Sequence, residues 1–351
     1  MKKVYLLSLM IALSHYACTD LEEDLVGALT EELSVEGNGL DYDCACGGPL
    51  VGAYAGLRYS GTAYHGGYFS LQELTSDEMV VCAKGSDWYD GGIQIALHQH
   101  TYTPDHPFLG TTFRQLYEAI SEANKALDQA HLEPHEVAQV RGLRAFYYWR
   151  LLDLFGRVKI VTEYDPNPPQ ATREEVFNFV EQELLAVLGI PEVSADMDLS
   201  SSSLSESSDA YELNRYGALG VLARLYLNQG VPFDSEQLEG YAAVFAPNND
   251  GNPEHIFSIN YDEYLGPGMN FSQMALHPAS QLSWHLQEQP WNGYVTLEEF
   301  YNSYEDADLR KKASFLTGPQ FDFSGSAVID YTENDGELQL KYTPAINELQ
   351  P

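Results

Sequence analysis

One stretch limits what this chain can become more than any other: residues 139–163, QVRGLRAFYYWRLLDLFGRVKIVTE. Val140, Leu143, Tyr147, Leu151 and Leu154 recur at the three- and four-residue steps of one helical face, and Phe146, Trp149 and Leu152 give a second apolar face beside it. A helix apolar over most of its circumference has to be enclosed by other elements rather than laid on a surface. Gly156 can take the positive φ that ends such a helix, and residues 158–162 then read as a short extended exit. The fold is therefore built outward from one interior helix, with Trp149 in its core.

Its neighbours follow the same period. Residues 113–130 carry Phe113, Leu116, Ile120, Ala123 and Leu127 in register, and Pro134 separates them from the central helix, which predicts an antiparallel hairpin. Thr172 and Glu175 form a capping box ahead of Val176, Phe177, Val180, Leu184, Val187 and Leu188, a face that Gly189 and Pro191 stop. A serine-rich loop, residues 200–208, leads to a helix over residues 213–228, where Gly217, Gly220 and Ala223 allow close approach of a neighbour. An interior glycine costs a helix roughly 1 kcal/mol against alanine, so packing has to compensate. Repeated hairpins of this kind suggest a tetratricopeptide-like array, although the marker positions of that repeat are not cleanly visible.

Charge excludes some partners. The formal net charge is -34, from 52 acidic and 18 basic residues. Nucleic acid and anionic lipid surfaces would both be repelled. Affinity for cations, a saline habitat and plain solubility all fit that balance. No G-x-S-x-G elbow, phosphate-binding loop, dinucleotide fingerprint or H-E-x-x-H motif occurs. Ser76, Asp77 and Glu78 place two carboxylates side by side, but adjacent carboxylates point different ways and make a poor catalytic pair.

The amino terminus reads as an export signal. Lys2 and Lys3 precede an apolar run, residues 4–13, too short to span a bilayer, and the run ends at SHYAC with Cys18 last. That arrangement predicts cleavage after residue 17 and lipidation of Cys18, with His15 standing where a lipobox usually has Leu. An acidic tether begins at residue 19 and runs into a polar, glycine-rich stretch that ends near residue 48. In an exported protein Cys82 could pair with Cys44 or Cys46, and the sequence leaves the connectivity open. No CxxC pair is present; His98, His100 and His106 with Cys82 could supply zinc ligands, but no metal is expected.

Two loops carry exposed-aromatic chemistry. Residues 84–92, KGSDWYDGG, set Trp88 and Tyr89 between Asp87 and Asp90, with glycines on both sides. Flat aromatic faces suit the CH-rich faces of pyranose rings, and carboxylates accept strong hydrogen bonds from hydroxyl pairs. Residues 289–294, QPWNGY, repeat the theme with Trp291, Asn292 and Tyr294 around an Asn-Gly turn signal. Trp88, Tyr89, Trp291 and Tyr294 are expected as platforms and Asp87, Asp90 and Asn292 as polar partners, with Trp284 a weaker candidate. As an exposed platform, Trp88 would be replaceable by alanine at little cost in melting temperature.

The segment LRAFYYWRLLDLFGRVKIVTE, together with QELTSDEM (residues 72–79), GSDWYDGG (85–92), HQHTYTPDH (98–106), EHIFSI (254–259), the Gly/Met/Asn-rich residues 266–279, and the aromatic and Asp-x-Arg pattern of residues 297–310, resembles the SusD/RagB family in content and order. Lys159 stands where that family usually has Pro. The resemblance implies a mainly all-α, tetratricopeptide-like solenoid of helical hairpins, with long irregular loops and a few short strands. A domain would run over residues 49–351, with helical repeats near 113–230 and the loop-rich binding part near 60–110 and 254–342. It also implies a strand at residues 254–259. The chain departs from the family in two places: a repeat is expected to be shortened near residues 241–245, and the sequence stops before the helical C-terminal segment of full-length relatives, either because it is truncated or because the last repeat is missing. In function the resemblance implies a lipid-anchored, surface-exposed outer-membrane lipoprotein that captures a glycan nutrient, or in some relatives a peptide, for a SusC-like TonB-dependent transporter. No cofactor and no chemistry are implied. A glycoside hydrolase on a helical scaffold and a purely structural adaptor are the alternatives.

Overall fold

The structure is a computed structural model that describes residues 48–59, 62–82, 87–128, 131–163, 167–194, 196–207, 209–227, 255–259, 261, 269–317, 320–326 and 345–346. Cys18, Cys44, Cys46, the leader and tether, Lys84, Ser86 and residues 241–245 lie outside them. Residues from Pro49 onward make one compact unit. Four long helices dominate it after a first helix α1 (Gly48–Tyr59): α4 (Pro107–Leu127), α5 (Pro134–Phe155), α6 (Arg173–Leu188) and α7 (Arg215–Leu227). Between α1 and α4 lie α2 (Tyr68–Glu73), strand β1 (Met79–Val81) and α3 (Ile93–His98). After α7 come α8 (Phe271–Ala275), α9 (Ser280–Trp284), β2 (Tyr294–Thr296), α10 (Glu298–Ser303), α11 (Leu309–Ser314), and the two-residue strands β3 (Phe315–Leu316) and β4 (Ala345–Ile346), paired antiparallel.

Helix α5 is the predicted interior helix, and Val140, Leu143, Ala145, Tyr147, Tyr148 and Leu151 on it have no exposed surface. Trp149 is core, as expected, at 7% exposure. Phe113 meets Phe155 and Asn124 meets Arg144, so α4 runs antiparallel to α5. Arg173 reaches the Leu152 carbonyl while Glu183 meets Arg141 and Arg144, so α6 does the same on another side. This is the mainly helical, nested-hairpin architecture.

Local chemistry sets the helix ends. Pro107 is in the first turn of α4, and His106 caps it with Nδ1 accepting from the Phe108 amide, so that helix starts six residues before the apolar pattern suggests. Pro134 likewise opens α5, where Glu133 and Glu136 form a capping box. The predicted Thr172–Glu175 box caps α6, and Gly189 ends it at φ +70, where a Cβ would come within 2.6 Å of the Ser201 carbonyl oxygen. Two expectations are corrected. Helix α7 starts at Arg215 rather than residue 213, because the Leu213 amide donates outward to the Tyr54 hydroxyl and Asn214 instead caps the Gly217 amide. Residues 255–259 form no strand; the Ser258 amide donates to the Ala210 carbonyl, a loop contact.

Burying α5 on every side forces its polar groups to find partners. Glu183 takes Arg141 on one oxygen and Arg144 on the other, both at 2.7 Å, and Arg144 also donates to Asn124 Oδ1 at 2.8 Å. Burial alone would raise the Glu183 pKa, but the two guanidinium groups outweigh it and hold the carboxyl below the usual carboxylate range. Its contribution to stability is therefore complete above the unfolded carboxyl's value and is lost as pH falls through the lowered folded value. Removing one member of a buried ion group costs about 3–5 kcal/mol. Glu183→Ala is expected to lose that much in chemical denaturation at pH 7, and to show a smaller difference from the native chain at acid pH.

Candidate functional site

Beside the helical core a second apolar cluster gathers Phe69, Leu71, Leu74, Met79, Val81, Leu97, Phe108, Met274 and Tyr294. Strands β1 and β2 cross it as an antiparallel ribbon, with Val81 opposite Tyr294. The chain leaving β1 and the chain entering β2 therefore emerge at the same end. One carries Trp88 and the other Trp291. The ribbon brings together two loops that lie about 200 residues apart, and the indole Nε1 of Trp88 donates to the Trp291 carbonyl at 2.7 Å.

Both loops are held tightly. The amides of Trp291, Asn292 and Gly293 donate to the carbonyls of Gln273, Leu276 and Met274, which ties the second loop along α8. Gly293 has no side chain where the Trp88 ring lies; a Cβ there would sit 2.4 Å from the indole. Trp88, Asp90 and Asn292 all take positive φ, at 55°, 42° and 53°. Such conformations cost non-glycine residues about 1–3 kcal/mol each and persist only where the surroundings impose them. Among the described residues His100 and His285 share this conformation, and the other three non-glycine instances fall on these two loops.

The exposed surface of the cluster is aromatic. Trp291 is 38% exposed and Tyr89 is 52% exposed. Trp88 is half-buried, its ring 6.4 Å from Trp291 and edge-on to Tyr294 at 5.6 Å. Two residues that the sequence reading passed over complete the group. Tyr64 is 45% exposed and packs on His65 at 4.2 Å, and His65 stands edge-on to both Trp88 and Trp291. Their segment, TAYHGG at residues 62–67, places aromatics against paired glycines just as residues 84–92 do, and that shared pattern is the signal that could have found them.

The remaining predicted residues fall in different places. Asp87 and Asp90 are exposed, and Asp90 accepts from Gln94 Nε2 at 3.2 Å. Asn292 is half-buried in the second loop. Tyr294 is corrected: it is fully buried, with its hydroxyl 2.6 Å from Ser70 Oγ and donating to the His65 carbonyl at 3.0 Å, so its ring supports the cluster and offers no face to a ligand. Burial also pushes its phenol well above the ordinary range. Trp284 ends α9 half-buried, and among the described residues it makes no ring contact with the cluster. Cys82 is exposed, His100 and His106 bind the Thr75 and Ile93 carbonyls, and no group of three metal-ligating side chains occurs among the described residues. Elsewhere, Phe300, Tyr304, Asp308 and Arg310 line a cavity of about 620 Å³, with Arg310 bidentate to Asp308.

Residues 59–227 match the family model SusD-like, described as starch-binding and associating with the outer membrane. A SusD-like protein from Formosa agariphila is 24% identical over 341 residues, covering 90% of this chain. The chain is thus similar to SusD-like proteins in sequence over residues 59–227. It spans 65% of the length of that relative. Among solved structures, a laminarin-binding SusD-like protein superposes with a TM-score of 0.63 at 21% identity, covering 86% of this chain and 71% of the other. Surface glycan-binding protein A from Bacteroides uniformis gives a TM-score of 0.63 at 18% identity, with 86% and 67% coverage. At those identities the superpositions establish the SusD-like fold.

The cluster's geometry changes what substitutions in it should do. Because Trp88 is hydrogen-bonded and wedged over Gly293, Trp88→Ala should lower the melting temperature by several degrees, not leave it unchanged as an exposed platform would. Gly293→Val adds a side chain where the indole lies, at a cost of about 1–3 kcal/mol for overpacking. Its tryptophan emission should shift to the red as Trp88 is pushed into water.

Proposed function

We propose that this chain binds a glycan on the Tyr64, Trp88, Tyr89 and Trp291 cluster, at the outer face of the outer membrane, and performs no chemistry on it. The observation that carries this reading is the pinned pair of tryptophans: two strained loops, distant in sequence, are joined by the Trp88–Trp291 hydrogen bond and leave aromatic faces exposed. Rigid platforms lose little conformational entropy on binding, which is where exposed side chains ordinarily forfeit affinity. Asp87 and Asp90 stand beside the rings as acceptors for sugar hydroxyls. The laminarin-binding relative, and a surface glycan-binding protein A from Bacteroides thetaiotaomicron solved with laminarihexaose, support a glycan as the ligand class.

In this reading Cys18 carries the lipid anchor, the domain begins near residue 49, and the captured glycan passes to a SusC-like TonB-dependent transporter. The anchor and the transporter come from the family resemblance and the amino-terminal sequence.

Affinity gels containing laminarin, and calorimetric titration with its oligosaccharides, test the binding. The native chain should be retarded, and Trp291→Ala should bind more than tenfold more weakly, a loss of about 1.4 kcal/mol or more, with little change in melting temperature. No reducing ends should be released during prolonged incubation. Retardation of both proteins to the same extent would remove the cluster from the binding surface.

A further inference from the structure

The geometry points to His65 as the hydrogen-bonding residue of the aromatic cluster, and to an uncharged glycan as what the cluster takes. This rests on the glycan-binding reading and narrows it to a residue and a ligand class.

His65 is at the meeting point of the exposed rings. Its ring lies 5.7 Å from Trp88 at 79° and 5.5 Å from Trp291 at 83°, with Tyr64 packed on it. A ligand stacked on Trp291 beside Trp88 would meet the imidazole between them. One ring nitrogen is already engaged: Asn270, 8% exposed, places Nδ2 3.1 Å from His65 Nδ1. An amide nitrogen only donates, so Nδ1 accepts and the proton of the neutral ring sits on Nε2. No described residue takes up that N–H, and the half-buried ring is not sealed from solvent. The backbone is fixed as well, since the His65 carbonyl accepts from both the Ser70 and the Tyr294 hydroxyls. The result is an oriented, pre-paired imidazole with one donor to spare, which matches an oxygen of a sugar.

Charge decides which sugars. Burial lowers the His65 pKa, only partly opposed by the carboxylate of Asp90, so the ring is neutral at neutral pH. Asp87 and Asp90 are exposed on the same loop as Trp88 and Tyr89, and none of the cluster's described residues is Lys or Arg. The whole chain carries a formal charge of -34. A uronate or sulfated glycan would bring negative charge to carboxylates with no cation among the cluster's described residues to receive it. An uncharged glycan can accept from His65 Nε2 while donating hydroxyls to Asp87 and Asp90.

The test is calorimetric titration of the purified full chain with laminarihexaose, maltohexaose, cellohexaose and hexagalacturonate. His65→Phe keeps a flat ring between the tryptophans and deletes the donor; His65→Gln keeps a donor without the ring. The expected result is binding of at least one neutral hexaose and at least tenfold weaker binding of hexagalacturonate. His65→Phe should lose about fivefold to tenfold in affinity and, because it leaves the buried Asn270 amide without its acceptor, should also lower the melting temperature; His65→Gln, which restores an acceptor, should recover part of both losses. Native affinity in His65→Phe, alongside weakened Trp291→Ala, would overturn the role of His65 while leaving glycan binding intact. Equal affinity for hexagalacturonate would overturn the ligand class. Binding of none of the four sugars would overturn the parent reading and this inference with it.

Discussion

A helix buried on nearly all sides cannot leave its polar side chains to water, and in this protein those side chains become the fasteners of the fold. From α5, Gln139 accepts from the Tyr54 hydroxyl of α1, and its amide donates to Glu212. Arg141 and Arg144 hold Glu183 of α6, and Arg144 also holds Asn124 of α4. The Tyr147 hydroxyl donates to the Ala53 carbonyl of α1, and the Tyr148 hydroxyl accepts from the Val161 amide. The bonds are directed to several neighbours: α1, α4, α6 and the segments at Val161 and Glu212. Apolar contact alone would hold the helices together without fixing their register; this ring of directed bonds fixes where each helix sits.

The same helix reaches toward the candidate site. Arg150 donates to Thr62 Oγ1 at 2.6 Å and lies 4.3 Å from the Tyr68 ring, clamping both ends of the segment that carries Tyr64 and His65. Burial pushes the Tyr68 phenol up to about 12, only partly opposed by that guanidinium. One turn on, Asp153 accepts from Gln72 of α2 at 2.6 Å. Rigidity passes from the helical core to α2, from α2 to the β1–β2 ribbon through the second apolar cluster, and from the ribbon to the two tryptophan loops. The positive-φ strain of Trp88, Asp90 and Asn292 is tolerable because that chain of support ends on them.

Much of the helical architecture was legible in the sequence, because period and capping are local. The α5 pattern, the Thr172–Glu175 box and the Gly189 stop each depend on residues within a few positions of one another. Boundaries went astray where a cap lay outside the apolar pattern, as with His106 ahead of α4, or where a distant hydroxyl captured an amide, as Tyr54 does at Leu213. The candidate site was half legible. Trp88, Tyr89 and Trp291 announce themselves as aromatics among glycines, but their juxtaposition depends on a ribbon pairing residues more than 200 positions apart. Tyr294 shares the loop's composition, yet it is the first residue of β2, a strand buried at every position, and its ring lies in the core. His65 looks in sequence like any loop histidine, and only the packing of both tryptophans against it makes it notable.

A rigid helical core, a short ribbon and two strained loops thus end in one exposed aromatic surface, and the central claim is that this surface is where a glycan is held. Solving the structure of the chain with a bound neutral hexaose measures that most directly. The result expected is sugar density stacked on Trp291 and Tyr89, with an oxygen within hydrogen-bonding distance of His65 Nε2. Sugar found instead in the cavity beside Tyr304 and Arg310, with the tryptophans bare, would contradict it.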